Sequence, residues 1–126
     1  MATITFISET GFPHCAFRIN AHDWHGFKPA IPKSPVANGY VDHSDPSAHI
    51  RSSVTLRVSD HLVAVAVPRL VQLYSQQMYL GGVHDCVSFA ADVAESLGLR
   101  IPPRPNFLPD NFVNSVRSLN SNLVVA

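Results

Sequence analysis

The chain has 126 residues, of which 46% are hydrophobic and 14% charged, and its formal net charge is zero. This length and apolar content predict a single domain, residues 1–126, with a core that needs no disulfide framework. The balanced charge offers no basic surface for nucleic acid or for an anionic membrane. The longest apolar run, residues 62–74, is too short to cross a bilayer, so we expect no integral membrane segment.

The first ten residues lack the basic and long apolar regions of a secretory signal. We therefore expect synthesis in the cytoplasm without a signal peptide. Export by a dedicated secretion system leaves no such signal and is compatible with this pattern.

Alternating apolar and polar residues predict strands at 3–8, 14–20, 24–29 and 49–58. The stretch 30–47 contains three prolines and an Asn-Gly pair, which are turn formers, and it is predicted to be a loop. A helix is expected to follow, capped by Ser59 or Asp60 and kinked or divided at Pro68.

Two further helices are predicted after this one. The first begins at Cys86 and stops at Gly98, and the second spans residues 110–119 with Phe112, Val113 and Val116 facing inward. The segment 102–109 between them is expected to be extended. Strands followed by helices predict an α+β fold, in which a small antiparallel β-sheet is packed against helices on one side.

Cys86 is the candidate nucleophile. It lies in GGVHDCVSF, residues 81–89, a turn-like run that leads into the helical pattern. A cysteine in the first turn of a helix meets unpaired backbone N–H groups and the positive end of the helix dipole, and both favour the thiolate. The alternative is a small buried hydrophobic side chain, which is common for free cysteine.

A nucleophilic thiol needs a base, and His14 is the best candidate among the seven histidines. The alternation of its strand places His14 and Ala16 on one face and Cys15 and Phe17 on the other. We therefore expect Cys15 in the core and His14 on the opposite face, free to meet another element. An isolated strand histidine is more often structural, so the catalytic interpretation depends on its pairing with Cys86.

These segments resemble a known family. PHCAFRI (13–19) followed by WHGFKP (24–29) resembles the histidine strand of circularly permuted papain-like proteins of the NlpC/P60 superfamily. YLGGVHDCVSFA (79–90) resembles their cysteine helix, and SSVTLRVSD (52–60) resembles the strand-to-helix step between the two. The similarity extends, with gaps, over residues 5–102. It implies a permuted papain-like fold in which the histidine strand precedes the cysteine helix.

The resemblance implies a cysteine hydrolase, an amidase or peptidase. Cys86 would attack an acyl carbon to form a thioester, and His14 would take the thiol proton and pass it to the leaving group. His25 lies 11 positions after His14 and matches the second histidine of the lecithin:retinol acyltransferase-like branch, which would orient the base. Asp23 and His22 are the alternatives for this third role.

One position departs from the family pattern. Asp85 stands where relatives commonly carry asparagine, and a carboxylate there would repel the developing oxyanion and remove one hydrogen-bond donor. We expect Asp85 to cap the cysteine helix instead, by accepting from the backbone of Val87 or Ser88.

The substrate is the most open question. Small members of this type without a signal resemble amidase toxins, which favours cleavage of peptidoglycan peptides by an antibacterial effector that has an inhibitory partner protein. The fold also serves isopeptidases and lipid acyltransferases or phospholipases. A non-catalytic binding domain is the remaining alternative, and Asp85 is its main support. In each enzymatic case the partner is a peptide or acyl substrate.

Zinc-ligand residue types occur in the loop and in the turn before it: His22, His25, Asp42, His43, Asp45 and His49. Their spacing fits no metal-binding template, and loop residues of these types are usually turn formers. We expect no metal and no cofactor, and we expect the loop to flank the substrate cleft.

Overall fold

The computed structural model describes residues 1–11, 14–81, 83–104 and 108–126. Its strands are β1 (Ala2–Glu9), β2 (Cys15–Ile19), β3 (Asp23–Pro29), β4 (Val36–Asp42), β5 (Ile50–Val58) and β6 (Met78–Leu80), and its helices are α1 (Asp60–Ser75), α2 (Cys86–Ser96) and α3 (Pro109–Leu119). Parts of three predicted segments lie outside the described residues: Pro13, Gly82 and residues 105–107.

The strands form one antiparallel sheet in the order β5-β1-β2-β3-β4-β6. Helix α3 packs on β1 and β5, α2 on β2 and β3, and α1 on α2 and β4. The α+β prediction of an antiparallel sheet packed against helices is therefore confirmed. The finer expectation of a permuted papain-like topology stays a prediction.

The alternation of each central strand divides its side chains between two clusters. Rings on the helix-facing side meet rings from the helices, with centroids 5.6 Å apart for Phe6 and Phe112 and 5.2 Å for Phe17 and Phe89. The opposite face carries a smaller buried cluster of Ile7, Ala16 and Trp24. Side chains of β2 therefore alternate between two separate environments.

The predicted loop at 30–47 is wrong over part of its length, because it contains β4. This strand pairs with β3 on one side and with β6 on the other. Its Asn-Gly pair is not a turn: Gly39 lies under the ring of Phe27, where a Cβ atom would stand 2.2 Å from the ring. Long-range pairing overrides the local turn preference of these residues.

The predicted helices are all present, with the caps expected at two of them. Ser59 accepts a hydrogen bond from the backbone of Leu62 at the start of α1. Asp85 accepts one from the Ser88 N–H at 2.9 Å and caps α2 as predicted. Helix α1 is one continuous helix through Pro68, so that residue does not divide it. No helix in the described ranges is long and apolar enough to cross a membrane.

Candidate active site

Cys86 is the first residue of α2, and its thiol is almost completely buried, with 5% of the residue exposed. The sulfur accepts the backbone N–H of Cys15 at 3.4 Å, so the N-terminus of α2 is held against the beginning of β2. Both cysteines are free thiols, and Cys15 lies in the core as predicted. The candidate nucleophile is thus next in space to the residue that follows His14.

Burial raises the pKa of the Cys86 thiol to about 12. The N–H of Cys15 acts in the opposite direction because it stabilises the thiolate, whereas the negative charge of Asp85 raises the pKa further. The helix N-terminus alone favours a thiolate, but desolvation is the larger effect here. At neutral pH the resting thiol is therefore protonated.

Tyr79 in β6 is the side chain that connects the thiol to open space. Its hydroxyl interacts with the Cys86 thiol and lowers the pKa of that thiol, and its ring stacks on Phe27 with centroids 5.5 Å apart. Burial raises the pKa of the Tyr79 hydroxyl. The same side chain lines a cavity of about 740 Å³, so the thiol lies directly behind the wall of this cavity.

His14 lines the same cavity from another wall. Its imidazole lies on the sheet face of Ala16 and Gly26, as the alternation predicts, and a Cβ atom at Gly26 would be 3.0 Å from its Nε2. Burial lowers the pKa of His14 to about 4, and the charge of Lys28 adds to this effect. Among the residues that the structure describes, no hydrogen bond or ion pair joins the imidazole to the Cys86 thiol.

The acidic side chain that lies against the His14 imidazole is Glu9. The sequence patterns did not single this residue out. Its Oε2 is 3.4 Å from Nε2, although the two atoms are not aligned for a hydrogen bond. Burial raises the pKa of the Glu9 carboxyl, whereas Lys28 lowers it. In the observed hairpin of β1 and β2, Ser8 pairs with Cys15, and this brings Glu9 opposite His14. Pairing the first two predicted strands as a hairpin would therefore have identified Glu9 as a neighbour of His14.

In the described part of the chain, no hydrogen bond or ion pair joins His14 to any of the three candidates for the orienting role, although His25 and His14 line a common pocket. His25 is buried, stacks on Phe17 and has its Nε2 3.0 Å from Asp23. The β2–β3 register pairs His25 with Phe17, which places it on the face opposite to His14. His22 is exposed in the turn between the two strands.

The cavity has a second compartment of about 160 Å³. The two compartments share Glu9, His14, Lys28 and His49. Lys28 is paired with Asp42 at 3.1 Å. Ser44 and Pro46 of the predicted loop and His49 after it contribute to the lining, and the expectation that this loop flanks a substrate cleft stays a prediction.

The cleft thus combines a neutral thiol behind its wall with a neutral imidazole and a carboxylate in its lining. Within the described ranges, no three His, Cys, Asp or Glu side chains are arranged to hold a metal ion. Comparison with known proteins gives no match to a family model, a curated protein or a solved structure.

Proposed function

We propose that the chain is a cysteine-dependent amidase or peptidase in which Cys86 is the nucleophile and His14 the base. One observation carries this proposal: the thiol at the start of α2 interacts with the Tyr79 hydroxyl, and Tyr79 and His14 line the same cavity. A substrate carbonyl in this cavity would have the imidazole in the cavity wall and the thiol behind Tyr79. The resemblance to permuted papain-like proteins supports the same assignment.

In this mechanism both groups are neutral before reaction. The neutral imidazole is a proton acceptor, and it takes the S–H proton as sulfur bonds to the carbonyl carbon. The backbone N–H of Cys86 stabilises the oxyanion. The C–N bond then breaks, the amine leaves with the proton, and water hydrolyses the thioester. The imidazole has to leave its resting contact with Gly26 and approach the thiol for the first step.

We infer that the substrate is a polar peptide, and peptidoglycan peptides are our first choice, in an antibacterial effector. The cleft carries both charge signs, from Glu9, Lys28 and Lys33, which suits a ligand with amino and carboxylate groups better than the acyl chain of a lipid.

A non-catalytic binding domain is the second candidate, and one observation favours it. The thiol is buried and protonated, and its described partners are Cys15 and Tyr79 rather than an imidazole. A domain that binds a ligand in the same cavity needs no contact between Cys86 and His14.

The deciding experiment incubates the chain with soluble peptidoglycan fragments and measures cleaved amide bonds by mass spectrometry. We expect cleavage by the wild type, loss of at least about a hundredfold in rate for Cys86→Ala, and retention in Cys15→Ala, which removes the neighbouring buried thiol. An acid-quenched reaction should show an acyl adduct on Cys86. Full activity of Cys86→Ala would exclude the nucleophile, and absence of both cleavage and adduct would favour the binding domain.

A further inference from the structure

We propose that Glu9 is the positioning residue of His14, in the role that the family resemblance implied for His25. This inference rests on the proposed function, because it assigns a partner to the base of that reaction. Glu9 would act through the imidazole and would not touch the substrate carbonyl itself.

The first support is that Glu9 and His14 are joined twice. The Glu9 N–H donates to the His14 carbonyl oxygen at 2.9 Å, which closes the end of the β1–β2 pair. The side chains then lie on the same face, with Glu9 Oε2 3.4 Å from His14 Nε2 and with 15% of the Glu9 side chain and 13% of the His14 side chain exposed. A small rotation of either side chain would align these atoms for a hydrogen bond.

The second support is an irregularity in the pairing of β1 with β5 beside this residue. The β1–β5 register shifts between Ser8, which pairs with Ser52, and Glu9, which pairs with Ile50. The extra residue of this bulge is Arg51 of β5, and bulges occur often beside active sites. Immediately after Glu9, the Thr10 N–H donates to the His49 carbonyl at 2.7 Å, so the end of β1 is held by both of its neighbours.

The chemistry follows from the protonation of the pair. A neutral imidazole has one N–H, and an ionised Glu9 facing Nε2 favours the tautomer that carries the proton there. The lone pair is then left on Nδ1, which becomes the atom that accepts the thiol proton. The other charged or titratable groups that line the compartment around this pair are His25, Lys28, Asp42 and His49.

Neither His25 nor Asp23 can supply this contact in the observed register. They lie 3.0 Å from each other, and His25 stacks on Phe17 on the opposite face of the sheet. They therefore offer a matched control, since His25–Asp23 is a second imidazole–carboxylate pair of similar separation, in the neighbouring strand β3.

The test is ¹⁵N NMR of the histidine rings at neutral pH, in the full chain. We expect His14 to be mainly the Nε2–H tautomer in the wild type and a mixture in Glu9→Gln, whose amide can donate as well as accept. Asp23→Asn should leave the His14 signals unchanged. In the peptide assay, Glu9→Gln should lower kcat by about tenfold or more with KM within about twofold, and Glu9→Asp should restore part of the loss.

A wild-type His14 with its proton on Nδ1, or an unchanged tautomer in Glu9→Gln, would overturn the proposal. The wild-type spectrum needs no variant, so an unfolded Glu9→Gln protein does not remove the test. Measuring the tautomer also tests this inference independently of the proposed function. If Cys86→Ala kept full activity, the hydrolase would fail while the Glu9–His14 pairing could still be read from the spectrum.

Discussion

At the Cys86 thiol, burial and the helix N-terminus act on the pKa in opposite directions. A helix N-terminus stabilises a charge by about 0.3–1 kcal/mol, or about 2 kcal/mol in favourable sites. The rise of the pKa from 9.0 to about 12 corresponds to about 4 kcal/mol in favour of the thiol. Desolvation therefore dominates, and a nucleophile in this position depends on a base during the reaction rather than on a preformed thiolate.

Asp85 permits a test of this balance, because its charge and its cap can be changed separately. Asp85→Asn keeps an oxygen for the Ser88 N–H but removes the negative charge, so the pKa of Cys86 should fall. We expect alkylation of Cys86 at a fixed pH of 8 to become up to about tenfold faster, as measured by mass spectrometry of the labelled peptide.

Asp85→Ala serves as the comparison for this prediction. It removes the charge and also the cap, so it should speed alkylation similarly and lower the free energy of unfolding by about 1 kcal/mol. Asp85→Asn should change that free energy by less than about 0.5 kcal/mol. Unchanged alkylation in both variants would show that Asp85 does not control the thiol.

At the scale of elements, the sequence predicts the helices and strands that have a local periodic pattern of hydrophobic residues. Three hydrophobic residues of α3, Phe112, Val113 and Val116, are fully buried as their helical spacing requires. The short strands β4 and β6 carry no such pattern, since β4 contains an Asn-Gly pair and β6 has only three residues. Their existence depends on pairing with each other and with β3, which a local pattern does not contain.

Gly39 is where this long-range packing can be tested. A Cβ atom there would stand 2.2 Å from the Phe27 ring and 2.8 Å from the Gln77 carbonyl oxygen. We expect Gly39→Ala to lower the free energy of unfolding by about 2 kcal/mol or more, since the ring and the backbone have to move. Urea denaturation of the variant and the wild type measures this loss.

Gly81→Ala is the matched control, because its nearest neighbour would be Pro35 at 3.7 Å, which is ordinary contact. It should cost less than about 0.5 kcal/mol. If the ring is the cause, Gly39→Ala combined with Phe27→Leu should cost less than the sum of the two single changes. Equal losses at Gly39 and Gly81 would contradict the packing argument.

For the whole molecule, the sequence predicted the faces of the site residues better than their partners. Alternation along β2 correctly placed Cys15 in the core and His14 opposite, but that same alternation separates the imidazole from the thiol. The neighbours Glu9 and Tyr79 come from strands whose register and order are set by the complete sheet. Burial controls the protonation of the Cys86 thiol and of the His14 imidazole. It exists only in the folded chain, so a local sequence pattern does not contain it either.

The protonation of this cleft should also appear in the stability of the molecule. The pKa of His14 falls from 6.5 in a solvated histidine to about 4 in the folded chain, so the unfolded state binds the proton more readily between these values. The contribution of His14 is therefore fully present above pH 6.5 and is lost as the pH falls towards 4. Glu9 acts oppositely, because a carboxyl with a raised pKa favours folding below its ordinary value of 4.5.

We expect the contribution of His14 to the unfolding free energy to fall by about 3 kcal/mol when the pH is lowered from 7 to 4. His14→Gln cannot take up this proton, so the difference in unfolding free energy between the wild type and this variant should change by that amount over the same range. Comparing the two proteins removes the contributions of Glu9 and other groups that they share. His22→Gln, at an exposed histidine, should follow the wild type. Parallel curves for His14→Gln and the wild type would show that His14 is solvated, because only a buried imidazole resists the proton until the chain unfolds.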